Sequence, residues 1–143
     1  RVSRCSVRVA HSMVGQIGDG LLVLVGVEKG DGQEDLRYTA DKLLGLRVFN
    51  DSDGKMNLSI QDTGGEILVV SQFTLLGDTR RGRRPSFINA AAPVDGERLY
   101  RQMIEYLQQQ GASVQSGQFQ ADMQVELVND GPVTILIDSR KTF

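Results

Sequence analysis

Apolar and polar residues alternate with a period of two along Val2–Val9, VSRCSVRV, the mark of a strand with one exposed face. A second short strand is expected around 13–17, after a turn at 10–12. Leu21–Val27 is apolar throughout and lies between glycine-rich turns, so it reads as a buried strand. From 31 to 47 the period changes. Leu36, Ala40, Leu43, Leu44 and Val48 recur at three- and four-residue spacing, behind acidic residues, and predict a helix. The turn NDSDGK at 50–55 is expected to join short strands at 47–49 and 55–58. A second amphipathic helix is predicted over 96–110, with Leu99, Met103, Tyr106 and Leu107 on one face and Gly111 as its stop. Strands are expected near 113–118, 124–129 and 132–138. There is no repeat and no linker. The pattern predicts one α+β domain over 1–143, with several antiparallel strands and two long helices.

One strand breaks its own pattern. In EILVVSQFTLLGD (66–78), the apolar run Ile67–Val70 gives way to Ser71, Gln72 and Thr74 around Phe73. Polar groups buried without partners cost roughly 1–3 kcal/mol each. Either the strand emerges into solvent there, or those groups face something they bind.

Composition narrows the classes. The 143 residues are 40% hydrophobic and 24% charged, as in ordinary globular proteins. No apolar run approaches the roughly 20 residues of a membrane span. Cys5 is the single cysteine, so no intrachain disulfide forms, and a cytoplasmic location is expected. His11 is the single histidine, which argues against a His/Cys metal site and against a serine triad. The net charge of −2 gives no overall attraction to nucleic acid, so such a partner needs a local basic patch. Arg1 stands inside what reads as a strand, and a few residues are expected ahead of it.

Such a patch exists. DTRRGRRPSF (78–87) carries Arg80, Arg81, Arg83 and Arg84 within five residues. It reads either as a solvated loop or as a phosphate-contacting one, since the guanidinium fork suits phosphate and Gly82 lets the backbone approach. The stretch LVNDGPVTILID (127–138) reads either as a hairpin turn with Pro132 opening the outgoing strand, or as a cis Gly-Pro bond that aims carbonyls outward.

SQFTL (71–75), DTRRGRRPSF (78–87) and NDGPVT (129–134) together resemble the signature motifs of the D-aminoacyl-tRNA deacylases. RVSRCSV, GLLVLVGVEKGD and GKMNLS are similar to that family too, so the resemblance spans nearly the whole chain. Gln120 departs from it, standing where glycine is expected. The resemblance implies a barrel-like, mostly antiparallel sheet with two long helices. It implies a homodimer with its active site at the subunit interface, no cofactor and no metal. The reaction implied is hydrolysis of the ester joining a D-amino acid to the 3′ end of tRNA, with glycyl-tRNA as a second substrate class.

The catalytic stretch implied is Ser71, Gln72, Phe73 and Thr74. Substrate binding falls to Gly131 and Pro132 as a cis Gly-Pro motif acting across subunits, with Met123, Asn129 and the supporting Arg1. Arg80, Arg81, Arg83 and Arg84 would engage tRNA. On this reading, main-chain N–H groups near Phe73 and Thr74 hold the ester oxygen as negative charge develops. Thr74 is open to a nucleophilic role, but no base stands beside it in sequence to activate it. A non-catalytic RNA-binding module and a different hydrolase built on Thr74 remain alternatives.

Overall fold

The computed structural model describes residues 1–143. Its elements run β1 (Val2–Val9), β2 (Ser12–Ile17), β3 (Gly20–Val25), α1 (Gln33–Gly45), β4 (Phe49–Asn50), β5 (Met56–Leu58), α2 (Ile60–Thr63), β6 (Glu66–Ser71), a 3-10 turn (Phe73–Leu76), α3 (Pro93–Gln109), β7 (Ser113–Ser116) and β8 (Gln124–Asn129). The main sheet follows the order β2-β1-β3-β6-β7, with β8 also paired to β1, while β4 and β5 form a separate hairpin. β1 is antiparallel to β2, β3 and β8, whereas β3, β6 and β7 run parallel to one another.

The sheet curls until β7 meets β2. The Gln16 N–H donates to the Gln115 side-chain oxygen at 2.7 Å. A Cβ on Gly15 would lie 2.8 Å from the Ser116 carbonyl oxygen, so only glycine allows that approach. The result is a nearly closed barrel.

β6 is continuously apolar because both its faces are covered. Leu68 and Val70 point into the barrel with Val2, Cys5, Val7 and Ile17. Ile67 and Val69 point outward, under Leu36, Ala40, Leu43 and Leu44 of α1 and Leu99, Tyr100, Met103 and Leu107 of α3. The Tyr100 hydroxyl donates to the Val69 carbonyl at 2.9 Å, which satisfies the one polar atom this contact buries. Cys5 is buried among these side chains, and that burial pushes its thiol up.

Several boundaries differ from expectation. α3 begins at Pro93, not residue 96, because proline is preorganised for the first helical position. α1 is trimmed to Gln33–Gly45, its entry closed by the Asp35 carboxylate accepting from the Gly32 N–H at 2.9 Å. Besides the two long helices there is the short α2, capped by Ser59 and Asp62. The expected strand at 132–138 does not form, and the segment pairs with no strand. On the edge of β3 away from β6, only Gly20 is paired, with Val2. A groove of ≈ 790 Å³ lies between Leu21–Val27 and Val133–Ile137, so the latter segment has no ladder partner.

Gly20 sits where the β3–β6 ladder begins. A Cβ there would fall 1.8 Å from the Glu66 carbonyl oxygen. Gly20→Ala must push the two strands apart and is expected to cost about 3 kcal/mol, the upper end for overpacking. Chemical denaturation reads this directly as a lowered midpoint at unchanged slope.

Candidate active site

Ser71 ends β6, and the chain then turns sharply. The Gln72 N–H donates to the Val25 carbonyl at 2.7 Å, continuing the ladder by one bond. Phe73–Leu76 closes as a 3-10 turn, with the Leu75 N–H on the Gln72 carbonyl at 3.2 Å and the Gly77 N–H on the Thr74 carbonyl at 3.0 Å. The first N–H groups of any helical turn lack partners within it. Here the N–H groups of Phe73 and Thr74 donate to no protein acceptor, and both residues are exposed. Two adjacent main-chain donors are thus unpartnered at the exposed end of β6, the arrangement an oxyanion requires. The Ser71 and Thr74 hydroxyls and the Gln72 amide make no hydrogen bond with the protein.

The turn is pressed onto β3. A Cβ on Gly26 would lie 2.5 Å from a Leu76 methyl carbon and 3.3 Å from the Gln72 carbonyl oxygen, so Gly26 is what lets the turn seat. Met123 joins this end of the barrel: its sulfur would lie 2.7 Å from a Cβ on Gly117, beside Val70 and Val7. Gln120 has φ of 61°, in the left-handed region, which explains why glycine is the residue expected there.

A second polar loop follows β8. Arg1 clamps it from three directions. The Arg1 main-chain nitrogen donates to the Val133 carbonyl at 2.9 Å, and its Nε donates to the Asp130 carbonyl at 3.1 Å. Its Nη1 donates to the Val48 carbonyl at 2.8 Å and to Asn50 Oδ1 at 3.2 Å, which ties the loop to β4. Asn129 braces the loop from within: Oδ1 accepts from the Val133 N–H at 3.0 Å, and Nδ2 donates to Thr134 Oγ1 at 2.9 Å. At the tip, the Gly131–Pro132 peptide bond is cis and Gly131 has φ of 124°. The carbonyls of Gly131 and Pro132 accept no hydrogen bond, and both residues are exposed.

The donor turn and the acceptor loop do not meet within one chain. Val2 pairs with both Gly20 and Asn129, and Gly20 pairs with Glu66, so the Gly131–Pro132 tip lies at the Glu66 end of β6. Ser71–Thr74 lies at the other end, where Val25 pairs with Ser71. Five residues of strand separate the two ends, about 16 Å at ~3.3 Å per residue.

The basic stretch forms a hairpin that rises from the donor turn. Asp78 and Ser86 exchange two main-chain hydrogen bonds at its base, at 2.8 and 2.9 Å. Arg80 folds back on Asp78 through Nε and Nη2, at 2.9 and 2.6 Å. That hydrogen-bonded guanidinium holds the Asp78 carboxyl down to about 2. Arg80 thus braces the hairpin, with its side chain still 84% exposed. Arg81, Arg83 and Arg84 are exposed and make no ion pair. His11 lies in the β1–β2 turn with φ of 68°. No group of three or more His, Cys, Asp or Glu is placed to hold a metal ion. No helix is long and apolar enough to cross a membrane.

Comparison with known proteins adds five findings. The family model described as D-Tyr-tRNA(Tyr) deacylase matches residues 1–138. The chain is 58% identical to a D-aminoacyl-tRNA deacylase of Thermotoga petrophila, over all of this chain and 96% of that one. It is 59% identical to one from Symbiobacterium thermophilum, over all of this chain and 95% of the relative. Among solved structures, a c-Myc DNA Unwinding Element Binding Protein superposes with a TM-score of 0.89 at 40% identity, covering 94% of this chain and 92% of that one. A probable eukaryotic D-amino acid tRNA deacylase shares the fold at 18% identity, with a TM-score of 0.73 and 90% of each chain covered. The whole-chain match of motifs, sequence and fold places this protein in the D-Tyr-tRNA(Tyr) deacylase family.

Proposed function

We propose that this deacylase works as a homodimer whose active site joins the donor turn of one subunit to the acceptor loop of the other. The deacylase activity itself, hydrolysis of the ester of D-aminoacyl-tRNA, follows from family membership. The two-chain site rests on one observation: the free N–H groups and the free carbonyls lie at opposite ends of β6. A single aminoacyl group is too small to touch both. A two-fold partner, docked so that its loop faces this chain's turn, brings them together twice, as an isologous interface does.

In that site the Phe73 and Thr74 N–H groups hold the ester carbonyl oxygen as it becomes an oxyanion. The Gly131 and Pro132 carbonyls of the opposing subunit accept hydrogen bonds from the substrate ammonium. With oxygen and ammonium both fixed, the D side chain points outward and the L side chain meets the loop. Glycine, with no side chain, passes as well. Thr74 has no base within hydrogen-bond reach, so water is the attacking group, assisted by the neighbouring hydroxyl of the terminal ribose. The proton taken from water goes to the departing ribose oxygen, giving free amino acid and tRNA. Ser71, Gln72, Met123 and Asn129 shape and brace this pocket.

Matched time courses with D-tyrosyl-, L-tyrosyl- and glycyl-tRNA test the reading. Loss of the D and glycyl esters with the L ester spared is expected. Equal loss of D and L esters contradicts the filter.

Arg81, Arg83 and Arg84 engage tRNA phosphates, with Arg80 holding the hairpin closed. Replacing the three free arginines by alanine is expected to weaken tRNA binding and flatten its log–log salt dependence by about 2.1–2.7, at ~0.7–0.9 per phosphate contact. Fluorescence titration across a salt series reads the slope. Arg80→Ala is expected to change it by less than any of the other three substitutions.

A further inference from the structure

Phe73, the first residue of the donor turn, has a single aromatic neighbour, Phe87, from the far side of the arginine hairpin. The rings meet edge to face, with centroids 5.1 Å apart and planes at 72°. Phe87 is also wedged against the end of the turn: a Cβ on Gly77 would lie 3.0 Å from its ring edge and 3.0 Å from the Thr74 carbonyl oxygen. The segment that carries Phe87 is itself fixed. The Ala90 N–H donates to the Phe87 carbonyl at 3.0 Å, the Lys29 N–H to the Asn89 carbonyl at 2.9 Å, and the Ala91 N–H to the Val27 carbonyl at 2.9 Å. Phe87 thus stands on a strap sewn to the end of β3, and the hairpin base at Asp78 and Ser86 opens directly beside it. Phe73 is 57% exposed and Phe87 36% exposed, so neither ring is core filling.

We infer that Phe87 is a positioning residue for the reaction: its ring fixes Phe73, and through it the direction in which the Phe73 and Thr74 N–H groups point. The inference rests on the assignment of those N–H groups to the oxyanion. Edge-to-face contact is directional, unlike simple apolar burial, so it sets an angle as well as a separation. A short 3-10 turn with two unpaired leading N–H groups has few bonds of its own to set that angle. The same ring abuts the root of the arginine hairpin, so phosphate contact at the hairpin and geometry at the turn share one mechanical element.

Steady-state kinetics on D-tyrosyl-tRNA separate positioning from binding. Phe87→Ala is expected to lower kcat about ten-fold with KM nearly unchanged, the scale of one lost aromatic contact. Phe87→Tyr, which keeps the ring, is expected to stay near the parent. In a Phe73→Ala background the Phe87→Ala effect should vanish, because the contact is already gone. A rise in KM alone would overturn the inference and make Phe87 part of the RNA grip. So would an unchanged kcat in Phe87→Ala while Phe73→Pro, which deletes an N–H, still slows turnover. If neither substitution touches kcat, the oxyanion assignment falls as well.

Discussion

Replacing Phe73 by proline is expected to lower kcat about 10²–10³-fold beyond Phe73→Ala, the loss measured when one oxyanion donor is removed. The substitution is chosen for what it leaves intact. Residue 73 is the first position of the turn, where proline is tolerated because its nitrogen has no intrahelical partner. Its N–H makes no bond in the folded chain, so deleting it costs the fold nothing in hydrogen bonding. Gln72, the residue before it, has φ of −143° and ψ of 84°, outside the helical region that proline disfavours in its predecessor. Phe73→Ala removes the ring but keeps the N–H, so the ratio of the two isolates the donor. KM is expected to move little, because the oxygen carries its full negative charge only in the transition state. Single-turnover hydrolysis of D-tyrosyl-tRNA measures it.

Gly131→Ala is expected to cost about 10²-fold in kcat/KM, the penalty for a misplacement of roughly 1 Å at a reacting group. Gly131 has φ of 124°, a conformation that any other residue adopts only at a strain of about 1–3 kcal/mol. Its added Cβ would stand 2.7 Å from a Val133 methyl carbon and 3.0 Å from Arg1 Nη2. The loop must shift, and the Arg1 clamp with it. The tip is exposed, so the fold tolerates the shift better than the site does. Thermal melts should fall modestly while turnover collapses.

The apolar run of β6, the α1 stripe and the Gly111 stop were all legible in the sequence, because periodicity and glycine punctuation report local geometry. The ends that misled were set by other physics. AAAP reads as loop, yet Pro93 opens α3. α2 is too short for a period, although Ser59 and Asp62 spell a capping box. Val133, Ile135 and Ile137 alternate as a strand does, but strand structure needs a partner edge, and the sequence cannot show that none is there. The motifs at 71–75 and 129–134 mark the two pieces of the proposed site. Their separation appears only from the pairing of Val2 with Gly20 and of Gly20 with Glu66, which is a property of sheet order. Phe87 carried no sequence signal beyond lying in the arginine motif. The self-pairing of Arg80 with Asp78 was likewise invisible in a count of charges.

Mixing two inactive variants decides whether the site is built from two chains. Phe73→Pro spoils only the donor turn, and Gly131→Ala only the acceptor loop. Equimolar chains, unfolded together and refolded, form mixed dimers in which one of the two sites pairs an intact turn with an intact loop. Random assortment then restores about a quarter of parent activity on D-tyrosyl-tRNA, since half the dimers are mixed and each carries one good site. Activity no greater than the mean of the two variants refolded alone would contradict a shared site and return both halves to a single chain.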